Sequence, residues 1–292
     1  METKAVYRSS GKLGRGLAGL LAAALALGGL AGVLYGYSCY YCIAWLGSQK
    51  LSAAVAMLLF MGLGAGVYKA AKLAHCRNMA VVILAGLISG LLALYVSWAT
   101  FAKVLLESGG GTVPLLDALT DPSALWSFIK DLNETGWYSK GYSKSQATEK
   151  GGILWAAWAG EALLAAGLTP GCAVFLWRVE VYCEVCGVWC SVKRDVAKRK
   201  AGSAPALEAR IKEGDLTALE GLPVAADEKE TCYRVDQNLC PQCGNTGTYR
   251  VLKITSAGAG GKKGSDSQTL NFLLDAEAAS TLGRLAGGSV KG

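Results

Sequence analysis

Residues 79–102 have the sequence MAVVILAGLISGLLALYVSWATFA, which contains no Lys, Arg, Asp or Glu. A transmembrane α-helix needs about 20 consecutive, mostly apolar residues, because the hydrocarbon core of a bilayer is about 30 Å thick. This stretch is long enough and contains no charge that would oppose insertion. It is therefore predicted to cross a lipid bilayer as an α-helix.

Three further stretches have the same character, at about 16–37, 51–68 and 153–177. Of all residues, 52% are hydrophobic and only 17% are charged, whereas soluble domains carry about 25% charge. The predicted fold class is an α-helical membrane protein, with a four-transmembrane-helix bundle over residues 16–178. The lipid bilayer is the first predicted partner.

Basic residues are concentrated beside three of the helix ends, and this bias predicts the topology. Lys and Arg are enriched in the short cytosolic flanks of membrane helices. The bias places the N-terminal segment 1–15 and the C-terminus in the cytosol, with segment 103–150 on the outside. It also accounts for much of the net charge of +7, and no basic stripe interleaved with aromatic residues indicates a nucleic-acid partner. The basic flanks are Lys4, Arg8, Lys12 and Arg15; Lys69, Lys72 and Arg77; and Arg178, Lys193, Arg194, Lys198, Arg199 and Lys200.

Glycines recur at every fourth position on three of the predicted helices. Small residues at this spacing lie on one helix face and allow the backbones of neighbouring helices to approach closely. Such faces are predicted to pack inside the bundle, and assembly into a homo-oligomer stays open. The pairs and triplets are Gly28, Gly32 and Gly36; Gly86 and Gly90; and Gly167 and Gly171.

Glu161 is the acidic residue inside the fourth apolar stretch. A carboxyl group at membrane depth is a functional candidate by default, because the hydrocarbon core disfavours charge. One interpretation gives it a role in moving protons or ions. The favoured interpretation is a protonated side chain that hydrogen-bonds a neighbouring helix, because a proton pathway normally needs several polar groups in series.

Six cysteines lie in the segment after the fourth helix, and four of them form two C-x-x-C-G motifs. Cytosolic cysteine clusters bind metals more often than they form disulfides. Two such motifs supply the four thiolates of a closed tetrahedral zinc site. Cys183, Cys186, Cys240 and Cys243 are therefore the predicted ligands of a structural Zn²⁺ ion, and Cys190 and Cys232 stay open as alternative ligands.

The two motifs define a predicted α+β zinc-ribbon-like domain over residues 179–255. The 53 residues between Cys186 and Cys240 exceed the usual spacing, and they are interpreted as a helical insert over about 191–231. Residues 256–292 are predicted to form a Gly/Lys-rich linker followed by a short strand and helix. A further C-x-x-C pair, Cys39 and Cys42, lies at the outer end of the first predicted helix and has no second pair to complete a metal site. A local disulfide stays open for this pair, and the favoured interpretation is apolar packing.

Residues 7–12 (YRSSGK), residues 91–98 in the third apolar stretch, residues 182–190 and residues 240–243 together resemble a family of uncharacterised bacterial inner-membrane proteins. These proteins have a C-terminal zinc-ribbon-like tail, and the likeness extends over most of the chain. The resemblance implies a multi-pass protein of the bacterial inner (plasma) membrane. It implies no activity, and the Cys39/Cys42 pair lies outside the shared pattern.

No grouping of His, Ser and carboxylate residues indicates catalysis, so the chain is predicted not to be an enzyme. The favoured hypothesis is a membrane anchor or scaffold whose zinc domain engages an unidentified cytosolic protein partner. One alternative is a small membrane transport or pore protein that uses Glu161. Another is a thiol-redox or metal-sensing membrane protein that uses the tail cysteines.

Overall fold

The computed structural model describes residues 4–44, 49–138, 148–202, 204–225, 231–244, 247–255, 264–266 and 271–287. The chain forms two structural units. The first unit is the helical bundle, Gly11–Trp177. The second, here called the C-terminal domain, combines Arg178–Gly292 with the N-terminal segment Met1–Ser10.

Four helices of the bundle are long and apolar enough to cross a membrane, which confirms the predicted number of spans. Each begins within two residues of its predicted start, and the first three continue further than predicted. Their ends lie in segments of more polar sequence, where hydropathy alone does not mark the last turn. The four are α1 (Leu17–Ala44), α2 (Gln49–Leu73), α3 (Met79–Ser108) and α6 (Gly152–Trp177).

Glycines bring the backbones of these helices into contact. Helix α1 lies against α2 and α3, and α6 lies against the same two helices. A Cβ atom added to Gly32 would lie 2.6 Å from the carbonyl oxygen of Ala93, and one added to Gly90 would lie 2.3 Å from that of Ala165. The glycines of α1 and α3 therefore pack as predicted. The prediction is wrong for Gly167 and Gly171 in α6, whose Cβ positions meet no described atom within 4 Å.

The segment between α3 and α6 contains two short helices and a two-stranded sheet. Asp121 caps the second helix, because its carboxylate accepts hydrogen bonds from the amides of Ser123 (3.1 Å) and Ala124 (2.9 Å). Leu125 and Ile129 of this helix are buried against α3. The elements are α4 (Leu115–Thr120), α5 (Pro122–Thr135), β1 (Trp137–Tyr138) and β2 (Thr148–Glu149).

The C-terminal domain is an antiparallel sheet with short helices. Strands β5, β6, β7 and β8 follow one another across the sheet, and β9 also pairs with β7. Strands β3 and β4 form a separate hairpin. The bounds are β3 (Tyr182–Cys183), β4 (Val188–Trp189), β5 (Ser191–Lys200), α7 (Pro205–Lys212), a 3₁₀ helix (Leu216–Leu219), β6 (Cys232–Leu239), β7 (Gly247–Thr255), β8 (Gly264–Asp266), β9 (Phe272–Leu273) and α8 (Ala276–Gly287).

The predicted helical insert over about 191–231 is only partly helical. Its first ten residues form β5, which pairs with β6 on both sides of a bulge at Asp195. Lys and Arg side chains suit an edge strand, where they discourage pairing with other molecules. The buried Ala197 and Arg199 turn toward the domain core. Pairing with a strand more than 30 residues away thus overrides the local charge pattern.

Large apolar side chains fill the space between the sheet and the helices. Tyr249 and Phe272 stack at a centroid distance of 5.7 Å, and Leu219 and Leu285 are buried beside them. The side chains described for this core include no cysteine. The predicted strand and helix at the end of the chain correspond to β9 and α8, which are parts of this core, whereas residues 256–263 of the predicted linker lie outside the described residues.

The N-terminal segment belongs to the C-terminal domain. Val6 forms an antiparallel bridge with Phe272, and the amide of Leu273 donates to the carbonyl of Ala5 at 2.8 Å. Lys4 forms ion pairs with Asp275 (3.0 Å) and Glu277 (2.6 Å). Within segment 1–15, predicted as a separate N-terminus, residues 5 and 6 therefore pair with β9.

Candidate metal centre

The first C-x-x-C-G motif forms the turn of the β3–β4 hairpin. Tyr182 pairs with Trp189 across this hairpin, and the amide of Gly187 donates to the carbonyl of Cys183 at 2.9 Å. Gly187 has a φ of 69°, a conformation that glycine adopts without steric penalty. The turn brings the side chains of Cys183 and Cys186 to the same side.

The second motif repeats this geometry between β6 and β7. The amide of Gly244 donates to the carbonyl of Cys240 at 3.0 Å, and Gly244 has a φ of 67°. Leu239 and Gly247 close the strand ladder immediately beside the turn. Two distant parts of the chain thus form the same local structure, as the motif predicts.

The two turns face each other, and their four sulfur atoms lie within 4.8 Å of one another. The sulfurs of Cys183 and Cys243, one from each motif, are 3.8 Å apart. Zn–S bonds of about 2.3 Å in a tetrahedron require sulfur–sulfur distances of about 3.8 Å. Cys183, Cys186, Cys240 and Cys243 therefore form a cluster that could hold a metal ion.

The surroundings of the cluster raise the pKa of two of the thiols at this site, Cys186 and Cys190. Hydrogen bonding to the Cys243 thiol, followed by burial, raises the pKa of Cys186 to about 12. Burial, followed by the neighbouring thiols, raises the pKa of Cys190 to about 11. A cation that binds four thiolates must displace protons, so its affinity falls as the pH falls.

The two alternative ligands lie outside the group of four. Cys190 is buried and packs against the cluster, together with Val181 and Tyr7. Cys232 is the first residue of β6, where it pairs with Lys200 and Ile254. Within the described residues, the sulfurs that could share one ion are those of the two C-x-x-C motifs.

Glu161 lies at a partly open cavity of about 550 Å³ that is lined by α1, α2, α3 and α6. Tyr35 of α1 lines the same cavity. Cys39, Ser52 and Ser97 also line this cavity, and the side chains of Cys39 and Ser52 are 3.3 Å apart. Sequence analysis identified Glu161, but it could not identify these neighbours because they come from three other helices.

Aromatic side chains form one wall of the same cavity. The rings of Trp98 and Trp158 meet edge to face, with centroids 4.9 Å apart and an interplanar angle of 87°. Phe101 lies 6.2 Å from Trp98 and also lines the cavity. The cavity therefore combines one carboxyl group, small hydroxyl and thiol groups, and aromatic surface.

The C-x-x-C pair in α1 is not a disulfide, since Cys39 and Cys42 are both free thiols. The sequence contains no second cysteine pair near them that could complete a metal site. In comparisons with known proteins, no family model, no curated protein and no solved structure matches this chain.

Proposed function

We propose that this chain is a multi-pass protein of the bacterial inner membrane that acts as an anchor or scaffold and has no catalytic activity. In this proposal the C-terminal domain lies in the cytosol, holds one structural zinc ion and engages a cytosolic protein partner. The observation that carries the proposal is the cluster of four cysteine sulfurs within 4.8 Å.

A four-thiolate cluster suits a structural ion better than a catalytic one. Structural zinc sites are closed by four protein ligands, whereas catalytic sites keep one position for water or substrate. Cys183 and Cys240 are fully or almost fully buried, which further limits access to an ion. Tetrahedral sulfur ligation also suits iron, and elemental analysis separates the two metals.

The strand pairing at the N-terminus supports the proposed topology. Val6 pairs with Phe272 in one structural unit, and a β-ladder cannot be shared across a bilayer, because backbone groups in lipid must be satisfied within the protein. This pairing supports a topology in which both ends of the chain lie on the same side, as an even number of spans also predicts. The excess of Lys and Arg beside these ends favours the cytosolic side.

Apolar side chains near the first motif support a contact with a partner. Val185, between the two cysteines of the β3–β4 turn, is 89% exposed, and Val192 at the start of β5 is 42% exposed. Exposed apolar groups on a rigid turn can bury area against another protein with little loss of conformational entropy. The turn is held in place by the cysteine cluster, so metal binding would present this surface in one conformation.

Elemental analysis of the purified full-length chain tests the metal site. We expect about one equivalent of zinc, which is lost in Cys240→Ser and retained in Cys232→Ser. Cys232→Ser is the matched control, because it removes a buried tail thiol that lies outside the group of four. Iron in place of zinc would overturn the identity of the metal, and the absence of any bound metal would overturn the structural site.

Site-specific photo-crosslinking in cells tests the partner. A photoreactive residue at Val185 is expected to give a discrete adduct that disappears in the Cys240→Ser background. The same residue at Lys212, which is exposed on α7, serves as the control for random contacts. Equal labelling at both positions, or no adduct at Val185, would contradict the scaffold proposal.

A second candidate function, membrane transport or a pore, is favoured by the cavity at Glu161. Polar groups from α1, α2 and α3 line the cavity beside this carboxyl group, and such a grouping is what a pathway through the bundle requires. Flux measurements in liposomes, with Glu161→Gln as the variant, test this candidate. The thiol-redox alternative gains no comparable support, because the two C-x-x-C pairs merge into one cluster.

A further inference from the structure

Glu161 is the acidic residue among the described residues that line the cavity of the bundle, and none of these described residues is Lys, Arg or His. The polar groups that line the cavity with it are the hydroxyls of Tyr35, Ser52 and Ser97 and the thiol of Cys39, none of which is charged at neutral pH. Charge in an apolar environment is strongly disfavoured unless a partner compensates it. The cavity therefore favours a proton or a cationic ligand at Glu161.

The aromatic wall favours the same kind of ligand. The edge-to-face packing of Trp98 against Trp158 leaves indole surface at the cavity lining, and both residues line it. Cations are attracted to the faces of aromatic rings, most strongly to tryptophan, and desolvation strengthens the attraction. Aromatic surface beside a carboxyl group is well suited to an organic cation.

The dimensions and polarity of the cavity exclude other ligand classes. Its volume of about 550 Å³ lies within the range of about 300–1,000 Å³ for sites of small organic molecules. An anion would find no basic side chain among the lining residues that the structure describes. Calcium or magnesium would need about six oxygen ligands, whereas the lining offers one carboxyl group and three hydroxyls, those of Tyr35, Ser52 and Ser97.

We propose that this cavity binds a monovalent organic cation with apolar groups around its charge, such as a quaternary ammonium or phosphonium compound. Glu161 neutralises the charge, and Trp98 and Trp158 contact the apolar groups. The inference deepens the second candidate function by naming its ligand class. It rests on that candidate for the location of the site, but it does not require that the ligand crosses the membrane.

Equilibrium dialysis of the purified full-length chain in detergent tests the charge selectivity. Tetraphenylphosphonium and tetraphenylborate have nearly the same shape and opposite charge, and binding to protein-free micelles gives the background for each. We expect saturable, stoichiometric binding of tetraphenylphosphonium and none of tetraphenylborate. Absence of saturable cation binding, or equal binding of both ions, would overturn the proposal.

A change of one carboxyl group to an amide tests the role of Glu161. Glu161→Gln keeps the shape but removes the charge, and we expect the affinity for tetraphenylphosphonium to fall at least about tenfold, which corresponds to 1.4 kcal/mol. Glu134→Gln, in the exposed face of α5, is the matched control and should bind as the wild type does. Unchanged binding in Glu161→Gln would overturn the assignment.

A measurement on the wild-type chain avoids any dependence on the folding of a variant. Cys39 lines the cavity, whereas Cys172 in α6 is similarly half-buried but lies outside its lining. Tetraphenylphosphonium should slow the alkylation of Cys39 by N-ethylmaleimide several-fold and leave Cys172 unchanged, as peptide mass spectrometry can show. Equal rates at Cys39 with and without the cation would overturn the site. If tetraphenylphosphonium protects Cys39 from alkylation but is not carried across liposome membranes, the binding site is upheld and the transport function is rejected.

Discussion

In the helical bundle, neighbouring helices touch through their backbones at glycines, which have no side chain. In the C-terminal domain, large side chains fill the space between the sheet and the helices. Gly90 of α3 lies against the carbonyl of Ala165, with no room for a Cβ atom. Phe272 of β9 is buried between Tyr249 and the rest of the core. The bundle should therefore be most sensitive to added atoms, and the C-terminal domain to removed atoms.

The polar sites of the two units also differ, in the amount of space that each leaves for a ligand. The four cysteine sulfurs form a compact cluster that could hold a single ion. Glu161 lies at a cavity of about 550 Å³ that could accommodate a molecule. A filled cluster stabilises its surroundings, whereas an open cavity reduces packing contacts and needs a functional explanation.

Loss of the proposed metal should give the largest effect on structure. We expect the loss of folded structure to be confined to one corner of the C-terminal domain. Structural zinc contributes about 10 kcal/mol or more of apparent binding free energy in small domains. We expect Cys240→Ser to abolish the protection of residues 181–190 in hydrogen exchange, because their hairpin is held by the cluster. Strands β6 and β7 should stay protected, because the apolar core beside them is built without the cysteines.

Cys232→Ser is the control for this exchange measurement, and it should leave the protection of residues 181–190 unchanged. Loss of protection throughout β6 and β7 in Cys240→Ser would show that the whole domain depends on the metal. In that case the apolar core of the sheet would not be sufficient to keep the C-terminal domain folded without the metal.

The second largest effect is expected from Phe272→Ala. This change removes a buried ring that stacks on Tyr249 and lies in the strand that pairs with Val6. Truncation of a buried Phe costs about 3–5 kcal/mol, and denaturant unfolding followed by exchange in the C-terminal domain measures it. Phe175→Ala in α6, where the ring is 64% exposed, should change the stability of neither unit by a comparable amount.

An added methyl group should destabilise the bundle. In Gly90→Ala the new Cβ atom would lie 2.3 Å from the carbonyl oxygen of Ala165, so α3 and α6 must separate. Overpacking of this kind costs about 1–3 kcal/mol, and thermal unfolding in detergent measures it. Gly167→Ala adds the same atom where no described atom lies within 4 Å, and equal loss of stability in both variants would contradict the packing difference.

The smallest effect is expected at the start of α8. The Asp275 carboxylate accepts a hydrogen bond from the amide of Ala278 at 2.7 Å, and this bond, assisted by Lys4, lowers the pKa of Asp275. A lowered pKa in the folded state means that the stabilisation is present above the ordinary Asp pKa of about 3.9 and is lost as the pH falls through the folded-state value. Asp275→Ala should cost about 1 kcal/mol at pH 7.

Unfolding curves at several pH values check this prediction. The difference between wild type and Asp275→Ala should shrink below about pH 4. Glu213→Ala, an exposed change after α7, should show no such convergence. A difference between wild type and Asp275→Ala that is constant with pH would reject a role for the ionised carboxyl group.

Features whose cause is local could be predicted from the sequence. A helix that crosses a bilayer must be apolar along its own length, whatever the rest of the chain contains. A charge-free stretch such as 79–102 is therefore sufficient to predict a membrane helix. The turn in each C-x-x-C-G motif depends on two cysteines and one glycine, which are adjacent in the sequence. For this reason the four-helix bundle and the cysteine cluster both agree with prediction in their outline.

Features that depend on distant partners could not be predicted in this way. Strand β5 carries a run of Lys and Arg, and its strand character follows from pairing with β6. Val6 lies in a polar N-terminal segment, and its partner Phe272 is near the other end of the chain. Likewise, the position of Glu161 is evident from the sequence, but Tyr35 becomes its neighbour only when α1 and α6 are assembled.

The pairing of Val6 with Phe272 also sets an order of events during synthesis. The N-terminal residues leave the ribosome first, but their partner strand follows roughly 270 residues later, after on the order of 15 to 50 s of elongation. During this interval all four apolar helices are made, while residues 5 and 6 have no partner strand to pair with. Residues 272 and 273 are thus required to dock residues 5 and 6, and this contact can form only after all four apolar helices have been made.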